Sequence, residues 1–273
     1  MITNECSIIL ENSLKVLNNE SLNFNQMELK DLLLERAMET PWVASKIRRM
    51  TNSNVLDVGF TFSSLDYMGM LLASIKKGTL LTGIDIISPS RVKNRYPLEW
   101  YDDIINVPFI KGDIRTVALP INSYDAILCI STIEHIGFDE ERSEDGLGSF
   151  NRHSNPDYVQ MKRDPELNNI VLNRFSEALN DNGKLLISVP MGKGGPVLLQ
   201  DSLGLYCAQW EYEEASWNEI ITHKSFELIE DFYFKLDENS GWQEVTSPKE
   251  LVSQSSYLKE SAAGCGLAML QKK

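Results

Sequence analysis

The sequence predicts an α/β chain: a doubly wound, mostly parallel sheet with helices on both faces, preceded by an N-terminal helical extension. Three observations carry this. From residue 52 onward, strand-like and helix-like segments alternate. The strand candidates are short and apolar throughout, the pattern of strands buried on both faces. The first three of them also end in an acid, a glycine, or both, at the edge where open α/β sheets bind ligands.

Taken in order, residues 1–50 read as a helical cap on a main domain of residues 51–273. Ile8, Ile9, Leu14 and Leu17 mark one amphipathic helix, and Met27 to Met38 a second. Pro41 is expected to interrupt the pattern before a short helix through Trp42 and Val43 to about Met50. Asn54–Ser64 then reads as a strand, a tight turn at Gly59 and a helix start. Leu65, Met68, Leu71, Leu72 and Ile75 continue that helix at helical spacing, and Gly78 closes it. Further strands are expected at Leu80–Ile87, Phe109–Ile114, Tyr124–Ile130 and Leu185–Val189. Helices are expected over Leu167–Leu179 and Glu213–Ile221. Phe226–Phe234 and Gly266–Leu270 read as two closing strands, antiparallel to each other. Residues 138–166, acidic and then polar, read as a lid-like insertion.

Composition narrows the function. The chain has 273 residues, 42% hydrophobic and 24% charged, which suits an ordinary globular protein. Its formal net charge of -13 argues against nucleic acid or an anionic membrane as partner and favours a small-molecule acceptor. No apolar run reaches the ~20 residues of a membrane span. Cys6, Cys129, Cys207 and Cys265 are scattered without a CxxC pair, as free cytoplasmic thiols would be. The first residues lack a basic segment ahead of an apolar one, so a cytoplasmic chain without a signal peptide is expected.

Asp57, Asp85 and Asp113 sit at three successive strand ends, in register with the Gly59 turn. A carboxylate after the second strand can accept two hydrogen bonds from a ribose diol, and one after the third can meet an exocyclic amine. Together they describe an adenosine pocket. A dinucleotide would need Gly-x-Gly-x-x-Gly so that a helix N-terminus could meet the pyrophosphate. Phe60, Thr61, Phe62, Ser63 and Ser64 follow Gly59 instead, which disfavours a nicotinamide enzyme and fits a cofactor without phosphate.

Val-Leu-Asp-Val-Gly (55–59), Gly-Ile-Asp-Ile (83–86), Gly-Asp-Ile-Arg (112–115), Tyr124 to Gly137 with its Glu134-His135 pair, and Asn-Gly-Lys-Leu-Leu-Ile-Ser-Val-Pro (182–190) occur in one order. In that order and spacing the chain, over roughly residues 52–271, resembles class I, Rossmann-like S-adenosylmethionine-dependent methyltransferases. Glu39-Thr-Pro-Trp-Val and the closing strands resemble the small-molecule members of sugar and secondary-metabolite pathways. The resemblance implies a seven-stranded sheet with an antiparallel last strand, and S-adenosyl-L-methionine as cofactor. Gly59 and its turn would approach the methionine part, and Asp57 would order that turn or reach the amino group. Asp85, with Ile86 beside it, would hold the ribose hydroxyls. Asp113 would meet the adenine amine with Ile114 against the ring, and Ser131 and Thr132 would line the methionine side. Thr61 stands where the family has a second glycine, and the hydroxyls of Thr61 and Ser63 would there meet the carboxylate.

Methyl transfer needs alignment, and a hydroxyl acceptor also needs a base. His135, just past the fourth strand, is the first candidate as base or acceptor contact; fixing its own loop is the alternative. His153, in the insertion, would enter on lid closure or stay solvated. His223 reads as a helix C-terminal interaction. The acids at 139–145 offer a divalent-metal site, with a solvated loop favoured over it. Tyr206, Trp210, Tyr212 and Trp217 divide between an aromatic wall over the acceptor and core. The expectation is O-methylation of a small polar acceptor; a homo-oligomer stays open. The competing reading is a catalytically degenerate binding or scaffold protein of the same fold, on the strength of Thr61.

Overall fold

The computed structural model describes residues 3–24, 27, 32–138, 153–200, 204–237, 239–251, 257–258 and 261–273. The acids at 139–145 lie outside the described residues. Strands β1 (Asn54–Val58), β2 (Leu80–Asp85), β3 (Phe109–Lys111), β4 (Tyr124–Ile130) and β5 (Leu179–Pro190) form the parallel part of the sheet. A hairpin, β6 (Gly195–Gln200) and β7 (Tyr206–Glu211), follows outside it. Next come β8 (Phe226–Asp237) and β9 (Gly241–Val245), a short pair β10 (Tyr257–Leu258) and β11 (Ser261–Ala262), and the last strand β12 (Gly264–Lys272). The sheet order is β3-β2-β1-β4-β5-β12-β8-β9. β12 runs antiparallel between β5 and β8, as the closing-strand pattern suggested.

The sheet therefore has eight strands, not seven. β9 is the addition: it pairs antiparallel with β8 as a hairpin at the sheet edge. Its sequence, Gly-Trp-Gln-Glu-Val, buries only its first two residues and so carries little apolar signal.

Why the parallel strands are apolar throughout is visible in the core. Val55, Ala126 and Leu128 face one hydrophobic cluster, while Leu56, Ile127 and Cys129 face another. On the first side lie α1 (Asn4–Leu17), α2 (Arg36–Ile47), α3 (Leu65–Lys76) and α4 (Leu98–Ile105). On the second lie α5 (Leu167–Ala178) and α6 (Glu214–Ile221). With helices on both faces, a two-residue side-chain period buries every position.

The N-terminal region departs from the expectation at Pro41. One helix, α2, runs through it, and the helix does not start until Arg36. An interior proline costs a helix about 3 kcal/mol in an exposed setting. Here the surroundings offset that cost, because Ala37 to Ala44 are all buried and Trp42 is fully so. The Trp42 indole donates to Glu230 Oε1 at 2.9 Å, tying α2 to β8. Glu5 on α1 accepts the backbone N–H of Leu33 and of Leu34, at 2.5 and 2.7 Å, as the chain approaches α2. Residues 91–106, mixed in sequence, contain α4.

Among the described residues no helix is long and apolar enough to cross a membrane. No group of three or more His, Cys, Asp or Glu among them is arranged to hold a metal ion.

The turn after β1 packs onto the sheet through one missing side chain. Phe60 is fully buried, and a Cβ at Gly83 in β2 would lie 2.5 Å from its ring. Gly83→Ala is expected to lower stability by about 1–3 kcal/mol, as overpacking does. Urea unfolding checks this; an unchanged midpoint would mean that Phe60 has another place to go.

Candidate functional site

The strand order reverses between β1 and β4, so their carboxyl ends open a crevice. A cleft of about 860 Å³, open mouth included, lies there. It is lined by Gly59, Phe62 and Ser63 from the turn, Asp85 and Ile86 after β2, and Gly112 to Arg115 after β3. Ser131, Thr132 and His135 to Gly137 after β4, together with Arg36 of α2, complete it.

Gly59 is required where it is. Its φ is +84°, and a Cβ would sit 2.6 Å from the Thr132 hydroxyl oxygen. Residues 60–62 form one turn of 3₁₀ helix. Thr61 points away from the cleft: it is fully buried, and its hydroxyl donates to the Ile87 carbonyl at 2.5 Å. Thr61 is thus corrected from a ligand-facing residue to a brace between the turn and the end of β2. Its bulk does not narrow the cleft, so the feature behind the scaffold reading has a structural explanation. The Tyr96 hydroxyl donates to the Thr61 carbonyl at 2.6 Å, and Arg95 Nη2 to the Phe62 carbonyl at 2.7 Å. The segment after β2 therefore clamps the turn from outside.

Asp85 does two things at once. It lines the cleft, and its Oδ2 accepts the Thr61 N–H at 3.0 Å. Burial pushes its carboxyl up to about 6, against the backbone N–H groups of Ile87 and Thr61 that favour the ionised form. Asp113 meets Arg115 through both oxygens, at 3.0 and 2.9 Å from Nε. Burial works against its charge, but Arg115 outweighs that and holds the carboxyl below its usual range. Ile86 and Ile114 supply the apolar wall between these acids.

Asp57 does not line the cleft. It lies behind the turn, 1% exposed, with Oδ1 accepting from the Tyr67 hydroxyl at 2.8 Å and Oδ2 buried without a partner. Of its two sequence-stated roles, ordering the turn is the one its position allows.

Past β4 the loop of Ser131 to Phe138 carries His135 to the cleft. Arg163 fixes this loop, donating to the Ile133 carbonyl at 2.8 Å and the Ile136 carbonyl at 3.1 Å. Its guanidinium lies 5.4 Å from the Trp210 ring centre and 5.8 Å from that of Tyr212. Glu134 turns inward, 2% exposed, with Oε2 lacking a partner, and burial pushes its carboxyl well up. His135 Nε2 lies 4.0 Å from Glu134 Oε1.

His153 is elsewhere. Its backbone pairs with Tyr206 at the start of β7, with N–H to carbonyl distances of 2.8 and 2.7 Å, and its ring packs edge-on to Tyr158. It does not line the cleft, which corrects its placement as a catalytic candidate. His223 bonds Asn169 of α5 at 2.9 Å through its ring, and its backbone N–H donates to the Ile220 carbonyl in the last turn of α6 at 3.2 Å. Tyr212 and Trp217 are fully buried core, while Tyr206 and Trp210 are partly exposed on β7.

Two residues given no site role from the sequence belong to the site. Arg36 lines the cleft, and its Nη1 donates to Glu39 Oε2 at 2.8 Å. Glu39 is fully buried, and its Oε1 accepts from Ser131 and Ser188 hydroxyls at 2.7 and 2.5 Å. Burial works against the Arg36 charge, yet Glu39, then Glu35, Asp66 and Glu134 hold its proton more firmly than usual.

Burial pushes the Asp57 carboxyl up from 3.8 to about 7, despite the Tyr67 hydroxyl and Arg36. Between those values the folded chain keeps a proton that the unfolded chain has released. Stability from this group is therefore present below 3.8 and lost as pH rises through about 7. Asp57→Asn keeps an oxygen for Tyr67 and cannot ionise. Its stability relative to the wild type should rise across that window, by ~4 kcal/mol at most. Urea midpoints of both proteins at several pH values test this; parallel curves would show that Asp57 titrates alike folded and unfolded.

No protein-family model matches the sequence, and no curated protein matches it. Solved structures do match the fold. A S-adenosylmethionine-dependent methyltransferase of Methanosarcina mazei aligns at TM-score 0.50 and 12% identity, over 81% of this chain and 92% of that one. A protein of Pyrococcus horikoshii aligns at TM-score 0.50 and 13% identity, over 87% and 90%. With the sheet order and the antiparallel β12, the chain has the Rossmann-like fold of class I S-adenosylmethionine-dependent methyltransferases.

Proposed function

We propose that the chain is a S-adenosylmethionine-dependent methyltransferase acting on a hydroxyl of a small polar acceptor. One observation carries the reading: Asp85, the Asp113–Ile114 pair, the Gly59 turn and Ser131 surround a single cleft at the carboxyl edge of the sheet. The donor set fits the cofactor. Asp85 at the end of β2 would accept the ribose hydroxyls, Ile86 and Ile114 would flank the adenine, and Asp113 would accept from its amine. Gly59 and Ser131 would face the methionine part.

Bound there, S-adenosylmethionine supplies a methyl group on a positively charged sulfur. The chain's residues then orient the acceptor and handle its proton. His135 takes the proton from the acceptor hydroxyl as it attacks, and Arg163 keeps the His135 loop in place. The same reading takes a sugar or secondary-metabolite precursor as acceptor and the cytoplasm as compartment.

Calorimetric titration with S-adenosylhomocysteine tests the cofactor. The wild type is expected to bind. Asp85→Asn, which keeps an oxygen for the Thr61 N–H, should weaken binding by about tenfold, as loss of a charge-assisted hydrogen bond does. Asp85→Ala should abolish it with the fold retained. A wild type with no thermal shift at saturating ligand, or unchanged affinity in both variants, removes the assignment and leaves the scaffold reading. His135→Ala should keep cofactor affinity within about twofold and lower transfer to any acceptor the wild type methylates by on the order of 10²-fold. Undiminished transfer would reduce His135 to a loop residue.

A further inference from the structure

Resting on that cofactor reading, we propose that Glu39 is a positioning residue for the cofactor's amino-acid end: it aims Arg36 at the ligand carboxylate and fixes Ser131 beside it. Glu39 reaches nothing in the cleft itself. It is fully buried in α2, and both of its oxygens are occupied by protein donors. Oε2 holds Arg36 Nη1 at 2.8 Å. Oε1 takes the hydroxyls of Ser131, 92 residues away, and of Ser188, 149 residues away. Ser188 Oγ in turn accepts the Ser131 N–H at 2.9 Å. Ser131 sits at φ +40°, a left-handed conformation that a serine adopts only under outside constraint. One carboxylate thus sets two cleft-lining residues that belong to different elements.

A need for stability does not account for this group. A buried ion pair is often no more stabilising than apolar residues of the same volume. Its geometry instead gives Arg36 one fixed orientation. With Nη1 committed to Glu39, its other N–H groups have no protein partner among the described residues, and the side chain is 16% exposed at the cleft. Arg115, the other guanidinium lining the cleft, is occupied by Asp113. The Arg36–Glu39 pair is neutral overall, and a neutral pair with its cation facing the ligand suits a zwitterion better than a simple anion. The amino-acid end of the cofactor is such a group, with a planar carboxylate that a guanidinium can bind through two hydrogen bonds.

Two ligands separate this role from a structural one. S-adenosylhomocysteine has the amino-acid end; 5′-methylthioadenosine has the same nucleoside and sulfur without it. Glu39→Gln keeps volume and an acceptor for the two serines, but it places an amide donor against Arg36. It is expected to lower affinity for S-adenosylhomocysteine by at least tenfold and to leave that for 5′-methylthioadenosine within about twofold. Arg36→Lys, which leaves Glu39 paired and removes the planar fork, should give the same selective loss and serves if Glu39→Gln does not fold. Equal loss for both ligands, or loss for neither, overturns the proposal. A wild type that binds neither ligand is a different result: it overturns the cofactor reading itself.

Discussion

The hydrogen bond from the Thr61 N–H to Asp85 Oδ2, at 3.0 Å, is the contact on which the cleft depends. It joins the turn after β1 to the end of β2 across the sheet. A glycine-rich turn reaches such a position by having no side chains to place. Here Phe60 fills the space that Gly83 leaves, and Thr61 closes a second bond to the Ile87 carbonyl at 2.5 Å. The turn is held by side chains directed into the core, Phe60 against β2 and Thr61 against the Ile87 carbonyl. Asp85 also meets a cost: with four backbone N–H groups favouring its charge, burial still lifts it to about 6. A ligand with hydroxyl donors would stabilise the ionised form further.

Much of the sheet could be read from sequence because its central parallel strands, β1, β4 and β5, are buried on both faces. Such strands appear as apolar runs bounded by glycine, proline or asparagine, and their helices carry the 3.6-residue period. What escaped reading lacked that contrast. β6 alternates half-buried and exposed residues, and β9 buries only its first two. Pro41 misled because local propensity describes an isolated helix. In α2 the neighbouring elements bury nearly every side chain, and tertiary packing outweighs the missing hydrogen bond.

The cleft divides along the same line. Asp85, Ile86, Asp113, Ile114, Gly59 and Ser131 follow directly from strand ends, so spacing alone brings them together. The direction of a side chain is not encoded that way. Asp57 and Thr61 belong to the same short stretch as Gly59, yet both face the core. His153 was placed by its position in an insertion, and the backbone pairing with Tyr206 that fixes it has no local signal. Glu39 and Arg163 are joined to cleft residues by contacts across 92 and 27 residues. Nothing near them in sequence announces those partners, although Glu39 within an apolar helix was a visible anomaly.

Buried acids around the cleft raise a question of charge. Asp57, Asp66, Asp85 and Glu134 lie close to one another and to Glu39, in a chain already at -13. Ionising all of them in a low-dielectric interior would cost more than the fold can supply. Burial resolves this by raising the carboxyls of Asp57, Asp66 and Glu134, so that protons neutralise part of the group.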